Sequence, residues 1–95
     1  MLPGITDDQL KIINEILKNY PYDFYLFGSR VKGNWQPNSD LDILLVSSQK
    51  LSNAELAQIK DEFYNSKLPY IVNILERLSC SESFYKEIQA DLYRM

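Results

Sequence analysis

Apolar positions along this chain recur with two periods. From Thr6 to about Tyr20, Leu10, Ile13, Ile16, Leu17 and Tyr20 return at helical spacing, which predicts an amphipathic helix with one buried stripe. Thr6 with Gln9 forms a capping-box pattern, Asp7 and Asp8 sit in the first turn where the helix dipole favours negative charge, and Pro21 is the stop. Phe24 to Phe27 then reads as a short apolar and aromatic strand. Leu41 to about Ser47, containing the run Ile43-Leu44-Leu45-Val46, reads as a second. Between them lie Gly28, Ser29 and Arg30, where a short helix can begin, and a polar loop with Gly33, Asn34, Pro37 and Asn38. Ser52 with Glu55 is another capping box, opening a helix to about Asn65 with Leu56, Ile59 and Phe63 inward. A third strand follows Pro69, about Tyr70 to Leu75. Ser79 with Glu82, or Ser81 alone, caps a last helix in which Phe84, Ile88 and Leu92 share a face.

The order helix, strand, strand, helix, strand, helix predicts an α/β (α+β) fold, a small mixed β-sheet with helices packed on it. No repeat or linker interrupts the 95 residues, so the expectation is a single domain over residues 1–95, near the lower size limit for a core without staples. Composition narrows the chemistry. Ten Lys and Arg against thirteen Asp and Glu give a net charge of -3, and no general attraction for nucleic acid follows from that balance. A local basic patch stays open. The chain has no His and one Cys, so a bound metal is expected to be held by oxygen, and Cys80 has no internal disulfide partner. Its apolar runs are far shorter than the roughly 18 residues of a membrane helix. Met1 to Thr6 lacks the basic-then-apolar pattern of a secretory signal, so a cytoplasmic address is expected.

Asp40 and Asp42 stand two apart at the start of a predicted strand, so both carboxylates should project from one face. Together they can hold magnesium, which takes one or two protein carboxylates and completes its shell with water and phosphate oxygens. Gly28 lets the backbone approach a ligand closely, and Ser29 offers a hydroxyl and a backbone donor. A phosphate between that turn and the acids would be gripped from both sides. Plainer readings stand beside these. Asp40 and Asp42 can be a solvated loop end, and Gly28 a tight strand-ending turn. Arg30 and Lys32 can be phosphate contacts or ordinary surface charges. Trp35 can touch a base or a partner, or cover the core. Cys80 reads as a small buried hydrophobe rather than a reactive thiol.

The stretch Phe27-Gly28-Ser29-Arg30-Val31-Lys32-Gly33, followed by Asn38-Ser39-Asp40-Leu41-Asp42-Ile43, resembles the signature of the DNA polymerase beta nucleotidyltransferase superfamily, in particular its minimal nucleotidyltransferase branch. The resemblance extends over nearly the whole chain in length and element order. It implies the nucleotidyltransferase fold, with Gly28, Ser29 and Arg30 at the nucleotide and Asp40 and Asp42 as catalytic residues binding Mg2+, in a site with room for two ions. The implied reaction moves a nucleoside monophosphate from a nucleoside triphosphate, with ATP the expected donor, to an acceptor, releasing pyrophosphate. Members of that branch often act beside a small helical HEPN protein as the antitoxin of a toxin pair, modifying a tyrosine of the partner. The family commonly adds a third carboxylate on a later strand. Here Asn73 occupies that place in Tyr70-Ile71-Val72-Asn73-Ile74-Leu75, and a neutral amide is no practical base. Glu76 is three residues further along the strand and so faces the other way. Two expectations follow: an enzyme acting on a hydroxyl of a protein partner, or a binding module that neutralises such a partner by contact alone. Oligomeric state is left open by the sequence.

Overall fold

In the computed structural model, which describes residues 2–95, helix α1 (Asp7–Leu17) starts on a complete capping box. The Thr6 hydroxyl accepts from the Gln9 N–H, and the Gln9 side chain accepts from the Thr6 N–H, both at 3.1 Å. The helix ends earlier than Tyr20. The N–H groups of Asn19 and Tyr20 bond to carbonyls only three residues back, so the last turn tightens before Pro21 is reached. Tyr20 is buried all the same.

Then come β1 (Asp23–Phe27), a single helical turn α2 (Ser29–Lys32), β2 (Leu41–Val46), α3 (Asn53–Tyr64) and β3 (Val72–Glu76). A 3₁₀ turn (Arg77–Ser79), α4 (Glu82–Gln89) and β4 (Tyr93–Arg94) complete the order. One cap differs from expectation, and another settles between two alternatives. Ser52 does accept from the Glu55 N–H, but the Glu55 carboxylate accepts from the Tyr22 hydroxyl at 2.8 Å instead of reaching back to close the box. Of the two serines proposed to start α4, Ser81 is the cap, and Ser79 lies in the 3₁₀ turn. Strand β4 is unforeseen: α4 stops at Gln89, so Leu92 is not on its face, and the chain returns to pair with β1. Arg94 holds it there through Asp23 at 3.1 Å and the Tyr25 hydroxyl at 2.7 Å.

The sheet order is β3-β2-β1-β4, with β2 and β3 parallel and the other pairs antiparallel, the mixed sheet expected. Strand alternation sorts its two faces. Phe24, Leu26, Leu41, Ile43 and Leu45 form one core with Ile13 and Leu17 of α1 and Ile59 and Phe63 of α3. Full burial of one such side chain is worth about 1.5–3 kcal/mol. On the opposite face Phe27 meets Phe84 of α4 edge-to-face at 6.3 Å, and Leu44 is wholly buried. Asp42 lies on this second face, one strand pleat before Leu44. No helix of the described residues is long and apolar enough to cross a membrane.

Candidate active site

Register brings the acidic residues and the glycine turn together. Phe27, the last residue of β1, pairs with Asp42, so the next residue, Gly28, falls beside the Asp42 carboxylate. The contact is close. A β-carbon on Gly28 would lie 2.5 Å from Asp42 Oδ2, and Gly28 has φ +90°, a conformation L side chains rarely adopt. Glycine is thus required twice at this position. From the other side, the parallel pairing of β2 with β3 sets Asn73 opposite Asp42. Asn73 Nδ2 donates to Asp42 Oδ1 and to Asp40 Oδ2, each at 3.1 Å. The two carboxylates therefore converge on one nitrogen, as the strand period implies.

The electrostatics of the pair are only partly relieved. Burial pushes the Asp42 carboxyl above the ordinary carboxylate range, the Asn73 hydrogen bond opposes that shift, and the neighbouring Asp40 charge adds to it. Among the described residues neither acid forms an ion pair, and no third His, Cys, Asp or Glu joins them in a metal-binding group. Two oxygen ligands carrying surplus negative charge fit a hard divalent cation, which would offset the repulsion that the neutral amide only softens. Glu76 is on the other face, as its spacing implies, where its carboxylate accepts from the Leu51 N–H at 2.9 Å.

Ser29 opens α2 directly after the turn. Its N–H and that of Arg30 have no carbonyl a turn earlier to bond within the helix. The Arg30 side chain, by contrast, is engaged by the protein's own backbone. It is 4% exposed, and its guanidinium is committed to backbone carbonyls: Nε to Ser39 at 2.9 Å, Nη1 to Gly4 at 2.8 Å, and Nη2 to Pro37 at 3.1 Å and Gln36 at 3.4 Å. Tyr70 and Trp35 flank it, with ring centroids 3.8 and 5.3 Å from the guanidinium carbon. Trp35 covers this group and Gly4, whose α-hydrogen side is so closed that a β-carbon would meet the indole at 2.8 Å. Lys32 is an exposed surface charge 3.8 Å from Asp91. Cys80 is half-buried beside the Glu76 carbonyl, and burial raises its thiol pKa, in keeping with an inert side chain.

The two roomier grooves of the described residues lie differently with respect to these features. One of about 670 Å³ runs between the end of α3 and β3 and includes Asn73 in its wall. A roomier one of about 910 Å³ lies between α1 and α3 and contains none of the converging residues. Chemistry rather than volume selects the first as the neighbour of the site.

Residues 8–93 match the family model described as the nucleotidyltransferase domain. The Haemophilus influenzae protein named "Probable protein adenylyltransferase MntA" is 35% identical over 91 residues, covering 94% of this chain and 79% of that protein. A spectinomycin 9-adenylyltransferase of Enterococcus faecalis is 46% identical over 43 residues, 45% of this chain but only 17% of the relative. Among solved structures, a toxin-antitoxin crystallised with AMP-PNP superposes with a TM-score of 0.73 at 23% identity, over 88% of this chain and 69% of the other, a likeness of fold. The signature turn, the acidic strand and the matched span agree: this chain belongs to the nucleotidyltransferase domain family.

Proposed function

We propose that the domain transfers adenosine monophosphate from ATP to a hydroxyl on a protein partner, with the partner a helical HEPN-type protein and this chain its antitoxin. One observation carries the reading: Gly28 presses against a carboxylate of an acid pair that has no cationic partner among the described residues, which supports turn and acids acting as a single site. The name of the Haemophilus influenzae relative supports a protein acceptor, and that of the toxin-antitoxin neighbour supports a partner.

In the reaction, the acceptor oxygen attacks the α-phosphorus, the bond to the β-phosphate oxygen breaks, pyrophosphate leaves, and the hydroxyl proton passes to water or to a group on the partner. Asp40 and Asp42 would hold magnesium, which when bound supplies charge neutralisation at the phosphates. Gly28 leaves room for the triphosphate beside the acids, and the N–H groups of Ser29 and Arg30 offer donors to its oxygens. Asn73 has no practical basicity, so this chain orients the reactants and leaves deprotonation to others.

Asn73 also supports a second reading, a binding module that silences its partner by contact, because an amide stands where the resemblance expects a carboxylate. Incubation with α-labelled ATP, magnesium and the candidate helical partner separates the two. Covalent label on the partner that is lost in Asp42→Asn supports transfer. Inhibition without label, with label emerging only in Asn73→Asp, supports contact alone.

A further inference from the structure

Arg30 is the one charged side chain fully buried among the described residues, and no acidic group pairs with it. A buried cation is costly unless its donors are satisfied, and here backbone carbonyls satisfy them. Their positions are informative. Ser39, Pro37 and Gln36 belong to the loop that delivers Asp40, and the Ser39 carbonyl belongs to the very peptide linking Ser39 to Asp40. Gly4 lies on the amino-terminal segment, and its N–H returns a bond to the Arg30 carbonyl at 2.8 Å. Tyr70, stacked on the guanidinium, precedes β3, and the Ile71 carbonyl accepts from the Leu41 N–H at 2.8 Å, closing the circuit beside the acids.

The two aspartates differ in how they are held. Asp42 is inside β2, fixed by ladders on both sides. Asp40 precedes the strand, so its backbone is held by the loop rather than by a ladder, although its carboxylate accepts from Asn73. We infer that Arg30 is a positioning residue for the cation site, fixing the 39–40 peptide so that the Asp40 carboxylate meets that of Asp42, and that its side chain makes no contact with the nucleotide. This inference rests on the metal site proposed above. A bidentate, planar fork is needed to reach Ser39 and the Gln36–Pro37 carbonyls at once, which lysine cannot reproduce.

The test is Mn2+ binding to the purified protein without nucleotide, in wild type, Arg30→Lys, Asp40→Asn and the double variant, alongside hydrogen exchange of residues 36–41. Supporting groups around a metal site commonly contribute 10–100-fold in affinity, so Arg30→Lys should weaken Mn2+ by about tenfold or more and speed exchange in the loop. The loss should vanish in the Asp40→Asn background, because the two changes act through one carboxylate. Additive losses would overturn the proposal, as would wild-type Mn2+ affinity in Arg30→Lys. If Arg30→Lys fails to fold, Trp35→Leu loosens the same guanidinium by removing one stacked ring and should give a smaller loss of the same kind; unchanged affinity there counts against the idea. AMP-PNP binding measured in EDTA should be the same in wild type and Arg30→Lys, whose backbone N–H is unchanged, and a drop would mean that the Arg30 guanidinium touches the triphosphate. Wild type that binds Mn2+ no better than Asp42→Asn would bring down the metal site, and this role of Arg30 with it.

Discussion

Two charged centres flank the loop 33–39. The cationic one, Arg30, is 4% exposed, enclosed by two aromatic rings and bonded to four backbone carbonyls. The anionic one, Asp40 with Asp42, keeps contact with solvent and shares a single neutral donor, Asn73. Charge that the fold satisfies internally does structural work, whereas like charge left together unsatisfied is affinity held ready for something from outside. The same contrast should appear in mutants: removing a satisfied charge costs stability, and removing an unsatisfied one costs function.

Asp42→Asn is the sharpest form of that contrast. If the acid pair holds a cation at the phosphates as proposed, losing one of its two acids removes several kcal/mol from the transition state, so AMP transfer should fall about a thousandfold in a label-incorporation assay. Stability should move the other way. The Asp42 carboxyl titrates above its ordinary range, so it binds its proton more tightly folded than unfolded, and the ionised form at neutral pH is the less stable one. Urea unfolding of Asp42→Asn without metal should give a midpoint at or above wild type. A clear drop would mean that the acid pair is structural after all.

Arg30→Met reverses the outcome. Four carbonyls lose their donor, Tyr70 and Trp35 lose the group they sandwich, and hydrogen bonds to charged groups contribute about 1.5–3 kcal/mol. The expected loss is about 3 kcal/mol of unfolding free energy, a large share of what a domain of this size has. Wild-type stability in this variant would erase the distinction between the two centres.

Asn73→Asp sharpens the comparison from the anionic side. A third carboxylate beside the pair adds repulsion of between ~1 and ~4 kcal/mol, according to the local dielectric. The variant should be less stable than wild type in EDTA and should recover more than wild type on adding magnesium. Thermal unfolding in both conditions checks this, and equal magnesium responses would argue that Asn73 is remote from the cation.

How far the sequence could disclose this arrangement depends on the kind of contact. Asp40, Asp42 and Gly28 were readable because strand alternation and the conformational freedom of glycine are local properties, and register then joined them. The core stripe of α1 and α3 was readable for the same reason. Arg30 was not, because its partners are carbonyls, which every residue carries and no residue type announces; Gly4, 26 positions away, gives no sign of being one of them. Glu55 left its expected cap for the Tyr22 hydroxyl, and β4 exists only because β1 has an open edge, both decided by tertiary neighbours. The meeting of acids and turn was thus more legible than the scaffold that aims them.

A smaller test uses a titratable group on the far face of the sheet, away from both centres. Tyr20, just beyond α1, donates its hydroxyl to Glu62 on α3, joining the two helices over the core. Burial first, and then the adjacent carboxylate, push the Tyr20 hydroxyl up to about 12 from the ordinary 10. A group whose folded pKa is raised contributes stability that is complete below its unfolded value and is lost as pH climbs through the folded one. Wild type should therefore lose stability between about pH 10 and pH 12, and Tyr20→Phe should flatten that part of the profile while costing about 1 kcal/mol at neutral pH. Transfer by Tyr20→Phe should match wild type, since Tyr20 belongs to a satisfied pair on the face that Asp42 does not share. A variant with wild-type stability but impaired transfer would show that the helical face reaches the site, and the separation of structural from functional charge would fail where it is easiest to see.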